Sequence, residues 1–148
     1  LFVDKTFFII IDRAIGTARG NLAIHYNLKE DSNASINKVN NSIVTNYGDG
    51  NNLVIQLLNK DKVTLKEESS FVSYQYQKET NRPAFVFEKP KNNENTQGFI
   101  SILYPYTGNK PPEIKIIENK GHDLSNGKID ITLTINGKIS QIQQNLNH

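Results

Sequence analysis

Cysteine, methionine and tryptophan are absent from the 148 residues. Without cysteine there are no disulfides, no thiolate chemistry and no cysteine-based zinc site. An excess of one charge is also missing. Seventeen Lys and Arg stand against 15 Asp and Glu, a formal net charge of +2, so no broad basic field argues for nucleic acid as a partner. No apolar run approaches the roughly eighteen residues that a membrane-spanning helix needs, and no membrane partner is expected. The opening "LFVDKTFFIIID" has neither the basic leader nor the small-residue cleavage site of a signal peptide. A chain that starts at Leu1 and holds no methionine is expected to be a piece of something longer. No window sustains a helical apolar period.

What is present is strand signal. "TFFIIID" (6–12) is a short apolar run rich in aromatic and β-branched residues, the mark of a strand covered on both faces. "NLAIHYNL" (21–28) alternates, with Leu22, Ile24, Tyr26 and Leu28 on one face and Asn21, Ala23, His25 and Asn27 on the other. Two short strands are read in 35–47. "NLVIQLL" (52–58) and "KVTLKEE" (62–68) bracket Asn59-Lys60-Asp61 as a tight hairpin. Further strands are read at 70–77, 84–88, 98–104, 113–117, 128–135 and 138–144. The last two flank Asn136-Gly137, a strong hairpin signal. Segments 89–97 and 107–112 read as solvated loops. With no linker and no repeat, residues 1–148 are expected to form a single all-β domain, an antiparallel two-sheet β-sandwich with jelly-roll-like character.

Two apolar groups raise questions of placement. Val72, Tyr74 and Tyr76 share one strand face and Phe85 and Phe87 another, so both sets are expected in the core, with a loop ending at Pro83 between them. Phe7, Ile9 and Ile11 point to one side of the first long strand, Phe8 and Ile10 to the other. A two-layer sandwich has one dry interior, so a residual apolar patch is expected near the N-terminus, edged by His25 and Asn27.

Chemistry-bearing residues are sparse. The three histidines are far apart in sequence and lack a paired metal spacing, so no metal site is expected. His122 reads as a loop residue and His148 as a terminal one. "YGDGNN" and "GHDLSNG" lack the twelve-residue calcium loop with its closing Glu and read as turns. No phosphate loop, dinucleotide fingerprint or nucleophile elbow appears, so no cofactor and no catalytic residue are assigned. His25, Asn27 and Arg82 remain as candidates for a domain contact or a glycan contact.

The ordered set "LFVDKTFFIIIDRAIG" (1–16), "LAIHYNLKE" (22–30), "DGNNLVIQ" (49–56), "SYQYQKETNRPAFVFE" (73–88) and "ISILYPY" (100–106) resembles bacterial heparinase II/III-type polysaccharide lyases, and heparinase III-like heparan sulfate lyases in particular. The resemblance implies an upstream α/α toroid followed by a C-terminal β-sandwich, of which this chain is the later part. It implies eliminative cleavage of a glycosaminoglycan beside uronic acid, in the periplasm or outside the cell. The family's toroid Asn, Tyr and His have no counterparts here, and neither has its upstream His-rich, Asp-containing motif. The expected function is thus a non-catalytic sandwich domain of such a lyase. An independent carbohydrate-binding or adhesin-type module is the alternative, and a self-sufficient lyase is a third reading.

Overall fold

The computed structural model describes residues 1–91, 96–120 and 124–147, so the readings of His122 and His148 fall outside the described residues. Twelve antiparallel strands carry the fold: β1 (Phe2–Val3), β2 (Phe7–Ala14), β3 (Gly20–Asn27), β4 (Ser35–Asn37), β5 (Ser42–Val44), β6 (Asn51–Leu57), β7 (Thr64–Gln75), β8 (Lys78–Lys91), β9 (Gln97–Thr107), β10 (Ile114–Lys120), β11 (Lys128–Ile135) and β12 (Lys138–Asn145). The all-β antiparallel sandwich read from the sequence is present. Its strands divide among three sheets: a six-stranded one ordered β1-β2-β9-β6-β5-β4 and two three-stranded ones, β10-β11-β12 and β3-β8-β7.

The six-stranded sheet is covered on both faces because its strands are apolar on both. Phe7, Ile9, Val54, Ile100 and Ile102 pack with Ile114, Ile129, Ile131, Leu133 and Ile142 of β10–β12. On the other face Ile43, Ile55, Leu57 and Phe99 pack with Phe85 and Phe87 of β8, flanked by Leu22, Ile24, Tyr26 and Leu65. Polar groups tie the layers. Gln56, 1% exposed, donates to Ile114 O at 3.3 Å, and the Tyr26 hydroxyl meets Ser101 Oγ at 2.7 Å. The Gln56 amide nitrogen and the two hydroxyls are paired where an unpaired polar group would cost about 1–3 kcal/mol, whereas Gln56 Oε1 is buried with no hydrogen-bond partner among the described residues.

Turn chemistry agrees with the sequence where side chains dictate it. Asn136 and Gly137 both have positive φ, 50° and 81°, and join Ile135 to Lys138 as a two-residue hairpin. Asp49 caps its turn by accepting the Asn51 N–H at 2.9 Å, in keeping with the turn reading of "YGDGNN". Gly98 is required by proximity: a Cβ there would lie 1.7 Å from the carbonyl oxygen of Asp12 on the paired strand.

Several expectations are corrected. Asn59-Lys60-Asp61 is not a hairpin turn, since β6 pairs with β5 and β9 while β7 pairs with β8 in another sheet. Asn59 instead completes the ladder of β9, donating to Gly98 O at 2.9 Å and accepting from Ile100 N at 2.7 Å. The runs read as separate strands at 62–68 and 70–77 are one strand, β7. The segment read as a loop before Pro83 belongs to β8, so the turn sits at Tyr76-Gln77, with Gln77 at φ 60°. Pro83 is tolerated inside β8. Its carbonyl accepts the Leu28 N–H at 2.9 Å, and its missing donor faces the same side, where β3 has already ended.

A further correction concerns Tyr74 and Tyr76. Phe85 and Phe87 are core, 1% and 0% exposed, but Tyr74 and Tyr76 are 70% and 90% exposed. Alternation had identified a strand correctly. It carried no information about where the facing sheet stops, and the distal part of β7–β8 runs on past that point.

The expected apolar patch near the N-terminus exists. Phe7 and Ile9 are buried, whereas Phe8 on the other face is 44% exposed and stacks on Phe2, 58% exposed, with ring centroids 4.6 Å apart. His25 and Asn27 do not edge it. They alternate with Ile24 and Tyr26, which face the six-stranded sheet, and so point outward from the layer β3-β8-β7.

Candidate functional site

The outward face of β3-β8-β7 collects all three residues singled out in the sequence. Strand register explains the gathering: His25 lies opposite Val86, Asn27 opposite Ala84, and Arg82 opposite Ser70. Residues of equal parity on three paired strands share one face. Ala84 and Val86 on this face are nonetheless buried, 3% and 6% exposed. Ala84 is flanked on its two partner strands by Asn27 and Glu68, and Val86 by His25 and Lys66.

A hydrogen-bonded network covers the face. His25 Nδ1 meets Glu68 Oε2 at 2.7 Å. An ionised carboxylate can only accept, so this geometry puts a proton on Nδ1. Glu88 accepts from Asn21 Nδ2 at 2.8 Å and from Lys66 Nζ at 3.0 Å. The Lys66 and Asn21 bonds hold the Glu88 carboxyl below its ordinary value of 4.5. Ser70 Oγ donates to Asn27 Oδ1 at 2.9 Å and accepts from Arg82 Nε at 3.4 Å. Arg82, Ser70 and Asn27 thus form a chain across all three strands, and no ion pair of Arg82 is seen among the described residues.

Past the end of β3 the hairpin β7–β8 continues as a two-stranded arm, Ser69 to Pro83, with a register shift between Val72 and Gln75. It exposes Phe71 (57%), Tyr74 and Tyr76. One further tether holds it: the Tyr74 hydroxyl donates to Glu30 Oε2 at 3.2 Å, which raises the Tyr74 pKa above its ordinary value.

The sequence reading found His25, Asn27 and Arg82 but missed Tyr74, Phe71, Ser70, Glu68 and Glu30. A signal for the arm was present: between Ser73 and Asn81 the only apolar side chains are two tyrosines, whose hydroxyls suit a wet surface.

Chemically the face offers hydrogen-bond donors and acceptors, the His25–Glu68 pair among them. It is an open surface; clefts lie elsewhere, one of about 350 Å³ between Asn51–Leu53 and Pro105–Thr107 and a smaller one where Leu22 and Ala23 meet Asp12, Arg13 and Phe99. Among the described residues no group of three His, Asp or Glu is placed to hold a metal ion, and no helix is long and apolar enough to cross a membrane.

No family model matches the chain. Among characterised proteins, a heparin-sulfate lyase of Pedobacter heparinus is 60% identical over 138 residues, 93% of this chain but 21% of that protein. A heparin-sulfate lyase of Bacteroides stercoris is 24% identical over 99% of this chain, again spanning 21% of the relative. The crystal structure of heparan sulfate lyase HepC from Pedobacter heparinus superposes with a TM-score of 0.91 at 57% identity, covering 99% of this chain and 23% of that one. A heparinase III structure at 21% identity shares the fold, with a TM-score of 0.85. The family likeness read from the ordered segments is borne out, and the chain spans about a fifth of the length of the relatives it matches. It is homologous to one domain-sized part of the bacterial heparin-sulfate lyases.

Proposed function

We propose that the chain is the C-terminal β-sandwich domain of a heparin or heparan sulfate lyase, non-catalytic by itself. Its partner is an upstream α/α toroid of the same parent chain, which cleaves a glycosaminoglycan by elimination in the periplasm or outside the cell. The carrying observation is 60% identity across 93% of this chain, confined to 21% of a heparin-sulfate lyase. The open polar face, on which the His25–Glu68 pair stands exposed rather than in a pocket, supports a structural rather than a chemical role. The stacked, half-exposed Phe2 and Phe8 support a neighbour that covers them. No observation favours a free-standing carbohydrate-binding or adhesin-type module.

A chimera tests this. This chain replaces the matching part of the Pedobacter lyase, and formation of unsaturated uronate from heparan sulfate is followed by ultraviolet absorbance. The chimera is expected to be active and the isolated 148-residue chain silent. A folded but inactive chimera, or dose-dependent product from the pure isolated chain, overturns the reading.

A further inference from the structure

Two exposed apolar features lie at the same end of the molecule. The first is the step formed by Phe2 and Phe8 on β1 and β2. The second is the underside of the arm. Phe71 has the parity of Leu65 on β7, the side on which Phe87 faces the six-stranded sheet, yet it is 57% exposed because that sheet no longer lies beneath it.

The layers fix their relation. Leu22 and Ala23 of β3 line a small cleft with Asp12, Arg13 and Phe99. Further along β3, Tyr26 bonds Ser101, which pairs with Ile10 of β2. Following β3 from Leu22 to Tyr26 therefore follows β2 backwards from Asp12 to Ile10. Its continuation heads toward Phe8. The arm extends beyond the end of β3, since Asn27 is opposite Ala84 and the arm begins one residue later, at Pro83. Step and arm thus border one open corner.

Charge decides what kind of partner fits. The arm carries Lys78 and Arg82 against Glu79, with Glu67 and Glu68 at its root and Glu30 held by Tyr74. Lys29 beside it is paired with Asp31 at 2.8 Å. A polyanionic sugar chain requires a surplus of cations, and there is none. Aromatic side chains on a neutral surface with a polar rim suit a protein interface. The relatives extend over nearly five times the matched length, so a large folded neighbour is at hand. A two-stranded ribbon is marginal alone and gains most from being held.

We propose that the arm, through Phe71, Tyr74 and Tyr76, and the Phe2–Phe8 step form one docking surface that grips the catalytic part of the parent lyase. The inference rests on the reading above and names the surface through which the domain acts.

Hydrogen exchange compares the isolated chain with the chimera. Amides of residues 69–82 should exchange at least about tenfold more slowly in the chimera, as buried and paired segments do. The triple variant Phe71→Ser, Tyr74→Ser, Tyr76→Ser should abolish that difference and split one thermal transition of the chimera into two, while leaving the melting of the isolated chain in place. Equal exchange of the arm in both contexts, within an active chimera, overturns the docking surface and leaves the lyase reading intact. Protection of the arm in the isolated chain by a heparan sulfate octasaccharide, with no protection in the chimera, overturns it in favour of a glycan site. A folded, inactive chimera sinks the lyase reading instead.

Discussion

The hairpin β7–β8 is two environments in one pair of strands. At its root Leu65 lies opposite Phe87 and Glu67 opposite Phe85, and both phenylalanines are fully covered. A few residues further, Phe71 lies opposite Asn81 on the same face and is mostly exposed. Backbone pairing keeps one register, and one alternation, from Thr64 through Phe71 to Val72. What differs is the layer beneath. Residue pattern makes a strand, and a neighbouring sheet makes a core.

The largest effect should come from the root. Phe87→Ala removes a fully buried ring between two sheets and should destabilise the domain by about 3–5 kcal/mol, measured by denaturant unfolding. A loss below about 1 kcal/mol would erase the contrast between the halves.

At the turn, Gln77 holds a φ of 60°, a conformation that costs a residue with a side chain about 1 kcal/mol. Gln77→Gly should therefore steady the arm by up to about 1 kcal/mol. Slower amide exchange in 69–82, with an unchanged global midpoint, is the expected signature. A raised global midpoint would mean that arm and core unfold together.

Tyr76→Ala should change the stability of the isolated chain by less than about 0.5 kcal/mol, as for other surface substitutions. A cost of several kcal/mol would restore the core placement that alternation suggested.

The smallest effect concerns acid. The Glu88 carboxyl is held low by Lys66 and Asn21. A depressed folded value means stabilisation that is present above the ordinary value of 4.5 and is lost as the pH falls below it. Glu88→Gln should flatten the acid limb of the stability curve, by lowering stability slightly at neutral pH and leaving it almost unchanged in strong acid. An unaltered acid limb would mean that the polar face contributes nothing to the root.

How much of the candidate site was legible depended on the residue. His25 and Asn27 could be placed on a polar strand face because they alternate with Ile24 and Tyr26. Arg82 joined them only through register, since a shift of one residue in β8 would have turned it to the opposite side. Ser70, which links Arg82 to Asn27, carries no signal of its own in the sequence. The Asn59 side chain resembled a turn residue because its bonds to Gly98 and Ile100 span about forty positions, and local pattern cannot register a partner so distant.

The sequence by itself determined the all-β class, the alternation of nearly every strand, the Asn136-Gly137 hairpin and the likeness to the heparin-sulfate lyases. Each follows from short-range rules: side-chain period, positive φ at Asn-Gly, and residue order. Only the tertiary structure decided which sheet each strand joined, that the six-stranded sheet is covered on both faces, and that Tyr74 and Tyr76 stand free while Phe85 and Phe87 are buried. Burial is a relation between elements far apart in the chain. The same alternating run is core or arm according to whether another sheet extends beneath it.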